Sequence, residues 1–178
     1  MAPVDEMMTS RLQVGILTVS DTRSRGTRAD TATPRIKRIL EKAGFTVAQA
    51  RLVPDEIPKI QKQLIDFSDR LKFSLILTTG GTGFGPRDVT PEATACVIKR
   101  AVPGIPEAMR LATARRRPHA WLSRGIAGLR RRTLIINLPG NPQGVEECLQ
   151  VLLPLLPHAL EMIRGEDHGH VKHLDSRR

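Results

Sequence analysis

Short, almost continuously apolar runs alternate with amphipathic ones along this chain, and that alternation restricts the fold more than any other feature. "LQVGILTVS" (Leu12 to Ser20) reads as a strand covered on both faces. "PRIKRILEKAG" follows as a helix, with Pro34 near its first position and Gly44 where a C′ glycine belongs. "FTVAQARLV" is a second strand. Ile57, Ile60, Leu64, Phe67 and Leu71 then recur at spacings of three and four, the stripe of an amphipathic helix with Pro58 in its first turn. "FSLILTT" is a third strand and "PEATACVIKRA" a helix after it. Residues 102–132 are less regular, with a helix expected around Glu107 to Arg115. "TLIINL" (Thr133 to Leu138) is a further strand, followed by one long helix bent at Pro154 and Pro157. Such alternation predicts a single α/β domain with a mostly parallel sheet and helices on both faces. The domain is expected over 11–165, between a flexible amino terminus (1–10) and a polar, mobile tail (166–178).

With 178 residues, 3% aromatic and no tyrosine, the core must be built from Leu, Ile, Val and Ala. Few aromatics also means few stacking platforms for single-stranded nucleic acid. The longest apolar stretch, "VLLPLLPHALEMI", is interrupted by prolines, so no membrane span is expected. The acidic start without an apolar core reads as no secretory signal, and the expected location is cytoplasmic. Cys96 and Cys148 fall in helical patterns and read as buried thiols of a reducing compartment. The net charge of +10 is concentrated: Arg110 to Arg132 contains eight arginines and no acid. That run is either a solvated basic face or an attraction for anions.

In a parallel sheet the ligand crevice lies beyond the carboxyl ends of the strands. There the order of the chain places Ser20 and Asp21, then Asp55, then "GGTGFGPRD" (Gly80 to Asp88), then Asn137 to Asn141. Glycines in succession let the backbone approach a ligand and, beside a helix N-terminus, present N–H groups to an anion. No Gly-Lys-Ser/Thr follows, and Pro86 breaks a G-x-G-x-x-G reading, so neither a Walker A loop nor a dinucleotide fingerprint is present. Thr90 is the expected N-cap of the next helix, with Pro91 at N1 and Glu92 in its first turn. Asp88, two residues earlier, is then either a turn aspartate or a ligand of substrate or Mg²⁺. Asp55 in "VPDEIP" is either an N-cap or a second such ligand. Asn141 is either a ligand contact or the N-cap before Pro142.

"LILTTGGTGFGPRDVTPEAT", "AWLSRGIAGLRRRTLIINLPGNP" and "VPDE" resemble the MogA/MoaB family of molybdopterin-binding proteins of molybdenum cofactor biosynthesis. Most alike are the G domains of plant and animal fusion proteins, including the amino-terminal domain of gephyrin. The resemblance runs from Leu12 to Gly165. It implies a three-layer α/β/α fold, a homotrimer, and adenylylation of molybdopterin by Mg-ATP with release of pyrophosphate. By that likeness Asp55 and Asp88 are the catalytic, Mg²⁺-holding pair. Gly80, Gly81, Thr82, Gly83, Ser123 and Arg124 contact molybdopterin. Ser20, Asp21, Asp30, Glu107, Asn137, Pro139 and Gly140 bind nucleotide or line the pocket, although Glu107 also reads as a helix-surface acid. A molybdenum-inserting, MoeA-like partner is implied as well.

Two segments depart from the family pattern. Asp30-Thr31-Ala32-Thr33 stands where Asp-x-Ser-Gly is usual, and Arg131-Arg132 follows "AGLR" where Gly-Lys or Gly-Ser is frequent. These leave room for a molybdopterin-binding but inactive MoaB-like protein. A basic nucleic-acid-binding module and a hydrolase of the related competence-associated fold are the remaining alternatives. Ser123 has no His–Asp partnership readable from spacing and is a phosphate contact rather than a nucleophile. His168, His170 and His173 read as part of the polar tail rather than a metal site.

Overall fold

The computed structural model describes residues 12–165, so the expected flexible amino terminus, the polar tail and its three histidines lie outside the described residues. Among the described residues there are six strands: β1 (Gln13–Val19), β2 (Thr46–Val53), β3 (Leu75–Thr79), β4 (Arg100–Ala101), β5 (Ala127–Arg130) and β6 (Thr133–Leu138). They form one sheet in the order β2-β1-β3-β6-β5-β4. The first four in that order are parallel, whereas β5 runs antiparallel to β6, and β4 antiparallel to β5.

Side chains alternate across the strands, and each face is covered by helices. Val14, Ile16, Leu75, Leu77, Leu134 and Ile136 pack against α2 (Ala32–Lys42), α5 (Gly104–Ala114), α6 (Pro142–Leu152) and α7 (Leu156–Arg164). Leu17, Val19, Ile76 and Ile135 pack on the other face against α3 (Ile57–Ile65) and α4 (Thr90–Val97). A short helix, α1 (Asp21–Ser24), follows β1. The expected three-layer α/β/α domain is therefore observed. Gly15 sits where a Cβ would fall 2.7 Å from the Phe73 ring and 2.8 Å from Phe67, so the aromatic pair closes on bare backbone.

Several local expectations are corrected. The helix expected through Ala101 stops at Val97, because Ile98 turns extended and Arg100–Ala101 pair with Leu129 and Gly128. The hairpin turn from β5 to β6 carries no Gly or Asn. The two-residue turn is Arg131-Arg132, and Arg131 itself takes a φ of 52°. The apolar stripe after Ile57 does not stay α-helical, since residues Asp66–Arg70 widen into a π-helical turn. The terminal helix is not merely bent but divided into α6 and α7, with Pro154 in the connection and Pro157 in the first turn of α7. Gly44 (φ 89°) ends α2 as expected.

Candidate active site

The strand ends meet as the topology requires. The Ser20 N–H donates to the Val53 carbonyl at 2.9 Å, and the Thr79 hydroxyl donates to the Pro139 carbonyl at 2.7 Å. At Gly80 (φ 99°) a Cβ would stand 2.3 Å from the Val19 carbonyl oxygen, and at Gly140 one would stand 3.1 Å from the Gly80 Cα. Three backbone segments thus converge where no side chain fits.

The four glycines of the turn divide into two pairs with different jobs. Gly80 and Gly81 take positive φ (99° and 63°) and turn the chain off β3. Gly83 and Gly85 instead leave room for a carboxylate, since a Cβ on either would lie 2.9 Å or 2.8 Å from Asp88 Oδ2. That oxygen accepts the Gly85 N–H at 2.9 Å, while the Asp88 N–H donates to the Gly85 carbonyl. Asp88 therefore braces the turn through one oxygen. Its Oδ1 takes no hydrogen bond among the described residues.

Thr90 is not the helix cap. Val89 occupies that position, and Thr90 is fully buried as the first helical residue. Its hydroxyl donates to the Gly80 carbonyl at 2.8 Å and its N–H to the Gly81 carbonyl at 3.0 Å, so it pins the turn to α4. The N–H groups of Gly81, Thr82 and Gly83 find no acceptor among the described residues.

Asp55 does not cap α3 either; Glu56 stands at the cap without a side-chain bond. Asp55 Oδ2 accepts the Asp21 N–H at 2.7 Å, and Asp21 Oδ1 accepts the Asp55 N–H at 3.1 Å. Arg87 forks onto Asp21 at 2.9 and 3.1 Å and holds its carboxyl below the usual carboxylate range. Burial pushes the Asp55 carboxyl up; the Asp21 N–H opposes this, and the Asp21 and Asp88 charges reinforce it. Ser20 caps α1 by accepting the Arg23 N–H. Asp55 Oδ1 lies 3.0 Å from where a Gly81 Cβ would be, so Asp55 and Asp88 bracket the stretch from Gly81 to Gly83.

Beside the turn lies a cavity of about 600 Å³, the size of small-molecule sites. Gly81, Thr82, Gly83, Asp88, Ser123, Asn137, Pro139 and Gly140 line it. The Ser123 hydroxyl accepts the Gly125 N–H, and Asn141 is the N-cap of α6, accepting the Gly144 N–H at 2.6 Å. Asn137 is buried, and its amide group is already spent on Thr78, Thr94 and the Ile126 N–H.

Other expected residues stand elsewhere. Arg124 donates to the Gly83 and Asp88 carbonyls and pairs with Glu92, clamping the glycine turn without lining the cavity. Glu107 is exposed on α5 outside the cavity. Asp30 accepts the Ala32 and Thr33 N–H groups and the Thr33 hydroxyl, so the departing Thr31-Ala32-Thr33 segment closes on itself at the start of α2. Five of the eight arginines are likewise held by protein: Arg110 by the Ser123 and Gly125 carbonyls, Arg117 by Glu147, Arg124 as above, and Arg130 and Arg131 by Asp69. Cys148 is buried as expected, but Cys96 is exposed. The sequence assigns no individual role to Arg87 or Glu147, and Arg117 enters it only as part of the basic run. For Arg87 the signal was available in its place beside Asp88; for the other two only the fold supplies it.

Parallel strands that deliver a glycine turn, two bracketing aspartates and an adjoining cavity define a ligand-binding α/β domain with an acidic rim. Residues 15–158 match the family described as "probable molybdopterin binding domain", and the chain belongs to that family. Among solved structures, the molybdopterin biosynthesis enzyme MoaB of Thermus thermophilus superposes with a TM-score of 0.83 at 54% identity, over 86% of this chain and 97% of that one. The molybdopterin adenylyltransferase of Helicobacter pylori strain J99 is 38% identical over 156 residues, which cover 86% of this chain and 89% of that protein. The molybdenum cofactor synthesis protein cinnamon of Drosophila melanogaster is 42% identical over 154 residues, and there the match spans only 26% of the longer protein. Among the described residues no helix is long and apolar enough to cross a membrane.

Proposed function

We propose that this chain is a molybdopterin adenylyltransferase of molybdenum cofactor biosynthesis. The observation that carries the reading is the pair Asp55 and Asp88, brought to opposite ends of one glycine turn beside a cavity of small-molecule size. A phosphate oxygen of molybdopterin forms the new bond to the α-phosphorus of ATP, the α–β bridging bond breaks, and pyrophosphate leaves. Such a transfer needs positioning and charge neutralisation more than covalent help from protein.

The donor set fits Mg²⁺. Each aspartate has one oxygen fixed by a backbone N–H and one uncommitted, and hard carboxylate oxygens supplemented by phosphates and water suit that ion. Held by Asp55 and Asp88, the ion would neutralise charge on the transferred phosphoryl group. The uncommitted N–H groups of Gly81, Thr82 and Gly83 hold an anionic group against the turn. Asp21 and Arg87 fix Asp55. The same reading carries a homotrimer and a MoeA-like partner. Exposed Leu111, Trp121 and Leu122 supply apolar surface for such contacts, and molar mass in solution tests the trimer. The activity itself is tested by product analysis with molybdopterin, ATP and Mg²⁺; absence of adenylylated product refutes it.

A further inference from the structure

We infer that Glu147 is the residue that reads the hydrogen-bonding edge of the bound ring system, selecting a 2-amino-4-oxo pyrimidine edge. This rests on the molybdopterin reading above and goes beyond it by naming the specificity element. Gly144, Glu147 and Cys148 follow at helical spacing on α6 and line the cavity, as do Met109 and Thr113 of α5. Between them the Glu147 side chain is 14% exposed, with Oε1 accepting the Arg117 Nε–H at 3.2 Å. Its Oε2 is buried without a donor among the described residues. An ionised carboxylate accepts at about four lone-pair positions, and burying one without its bonds is costly. A ligand that brings two N–H groups side by side relieves that cost through a small turn of the carboxylate.

The aminopyrimidinone edge of a pterin presents such a pair, a ring N–H next to an exocyclic amine. Adenine places its amine beside a ring acceptor, which would face the carboxylate lone pair to lone pair. The cavity wall therefore favours a pterin over the base of ATP. Arg117 holds the carboxylate in place, and the apolar surface of Met109 serves the flat ring.

The test titrates pterin and lumazine directly onto the full-length protein, read by ligand fluorescence; in lumazine an oxo group replaces the 2-amino group and N1 carries a proton. A site built on a paired donor edge should prefer pterin by roughly tenfold or more. Glu147→Gln, with its fold checked by circular dichroism, should reduce that preference to near unity, since an amide can both donate and accept. Equal binding of the two probes by the wild type overturns the inference, and so does an unchanged preference in Glu147→Gln or an absence of pterin binding by the wild type. If Glu147→Gln does not fold, the wild-type ratio alone decides. A wild type that discriminates the probes but does not bind molybdopterin supports the edge reading while refuting the function proposed above.

Discussion

Asp21 and Asp55 exchange hydrogen bonds reciprocally, each carboxylate accepting the other's backbone N–H, at 2.7 and 3.1 Å. Two like charges are held in one site because Arg87 neutralises Asp21 and the backbone dipoles orient Asp55. Asp21 is thus a positioning residue for Asp55, the carboxylate proposed to hold Mg²⁺. Asp21→Ala should lower kcat by roughly ten- to a hundredfold through misplacement of Asp55. KM for molybdopterin should change far less. A rise in KM with kcat unchanged would place Asp21 in substrate binding instead.

The glycine turn predicts a division between stability and activity. At Gly81 a Cβ would meet the Thr90 hydroxyl at 2.4 Å with φ at 63°, so Gly81→Ala should cost more than about 1 kcal/mol of stability. At Gly83 the obstacle is the end of the flexible Asp88 side chain, at 2.9 Å. Gly83→Ala should therefore leave the melting temperature almost unchanged and still depress turnover by displacing Asp88. Thermal denaturation and pyrophosphate release measure the two effects; equal melting temperatures for both variants would contradict the assignment.

Asp55 also sets a pH dependence. Its folded-state carboxyl titrates above the ordinary 3.8, so the folded protein binds more protons than the unfolded chain between that value and the raised one. Stability therefore falls as pH rises through that window, and the penalty is complete above it. Asp21, lowered by Arg87, acts oppositely, its contribution being lost as pH falls through its depressed value. Asp55→Asn should match or exceed the wild-type melting temperature near about pH 7 while abolishing turnover. A melting temperature lower by several degrees would show that Asp55 is there for stability.

The cysteines should react unequally. Cys96 is exposed, whereas burial, reinforced by the Glu147 charge, pushes the Cys148 thiol up to about 12. Iodoacetamide at about pH 8 should label Cys96 alone, read by peptide mass spectrometry, because the thiolate is the nucleophile. Labelling of Cys148 in the native protein would contradict the buried cavity wall described above.

Much of this site was legible because strand order alone carries Asp21, Asp55, the glycine turn and Pro139 to one edge. The glycines announced a close backbone approach, and the fold added that Gly83 and Gly85 make room for Asp88 rather than for φ. What stayed hidden depended on tertiary pairing. Thr90 has the chemistry of a cap, yet burial and the Gly80 carbonyl claim its hydroxyl. The arginines read as a surface field, but most are claimed by acids and carbonyls distant in sequence, such as Asp69 and Glu147. The short strand β4 escaped because its two residues are held, among the described residues, by pairing to the edge of β5.

Incubating the protein with molybdopterin, ATP and Mg²⁺ and analysing the products by mass spectrometry tests the proposed adenylyl transfer directly. Asp88→Asn serves as the paired control, since an amide oxygen can still accept the Gly85 N–H that braces the turn. The wild type should yield adenylylated molybdopterin and equimolar pyrophosphate, and Asp88→Asn neither despite retained molybdopterin binding. No product from the wild type, or loss of binding equal to loss of turnover in Asp88→Asn, would contradict it.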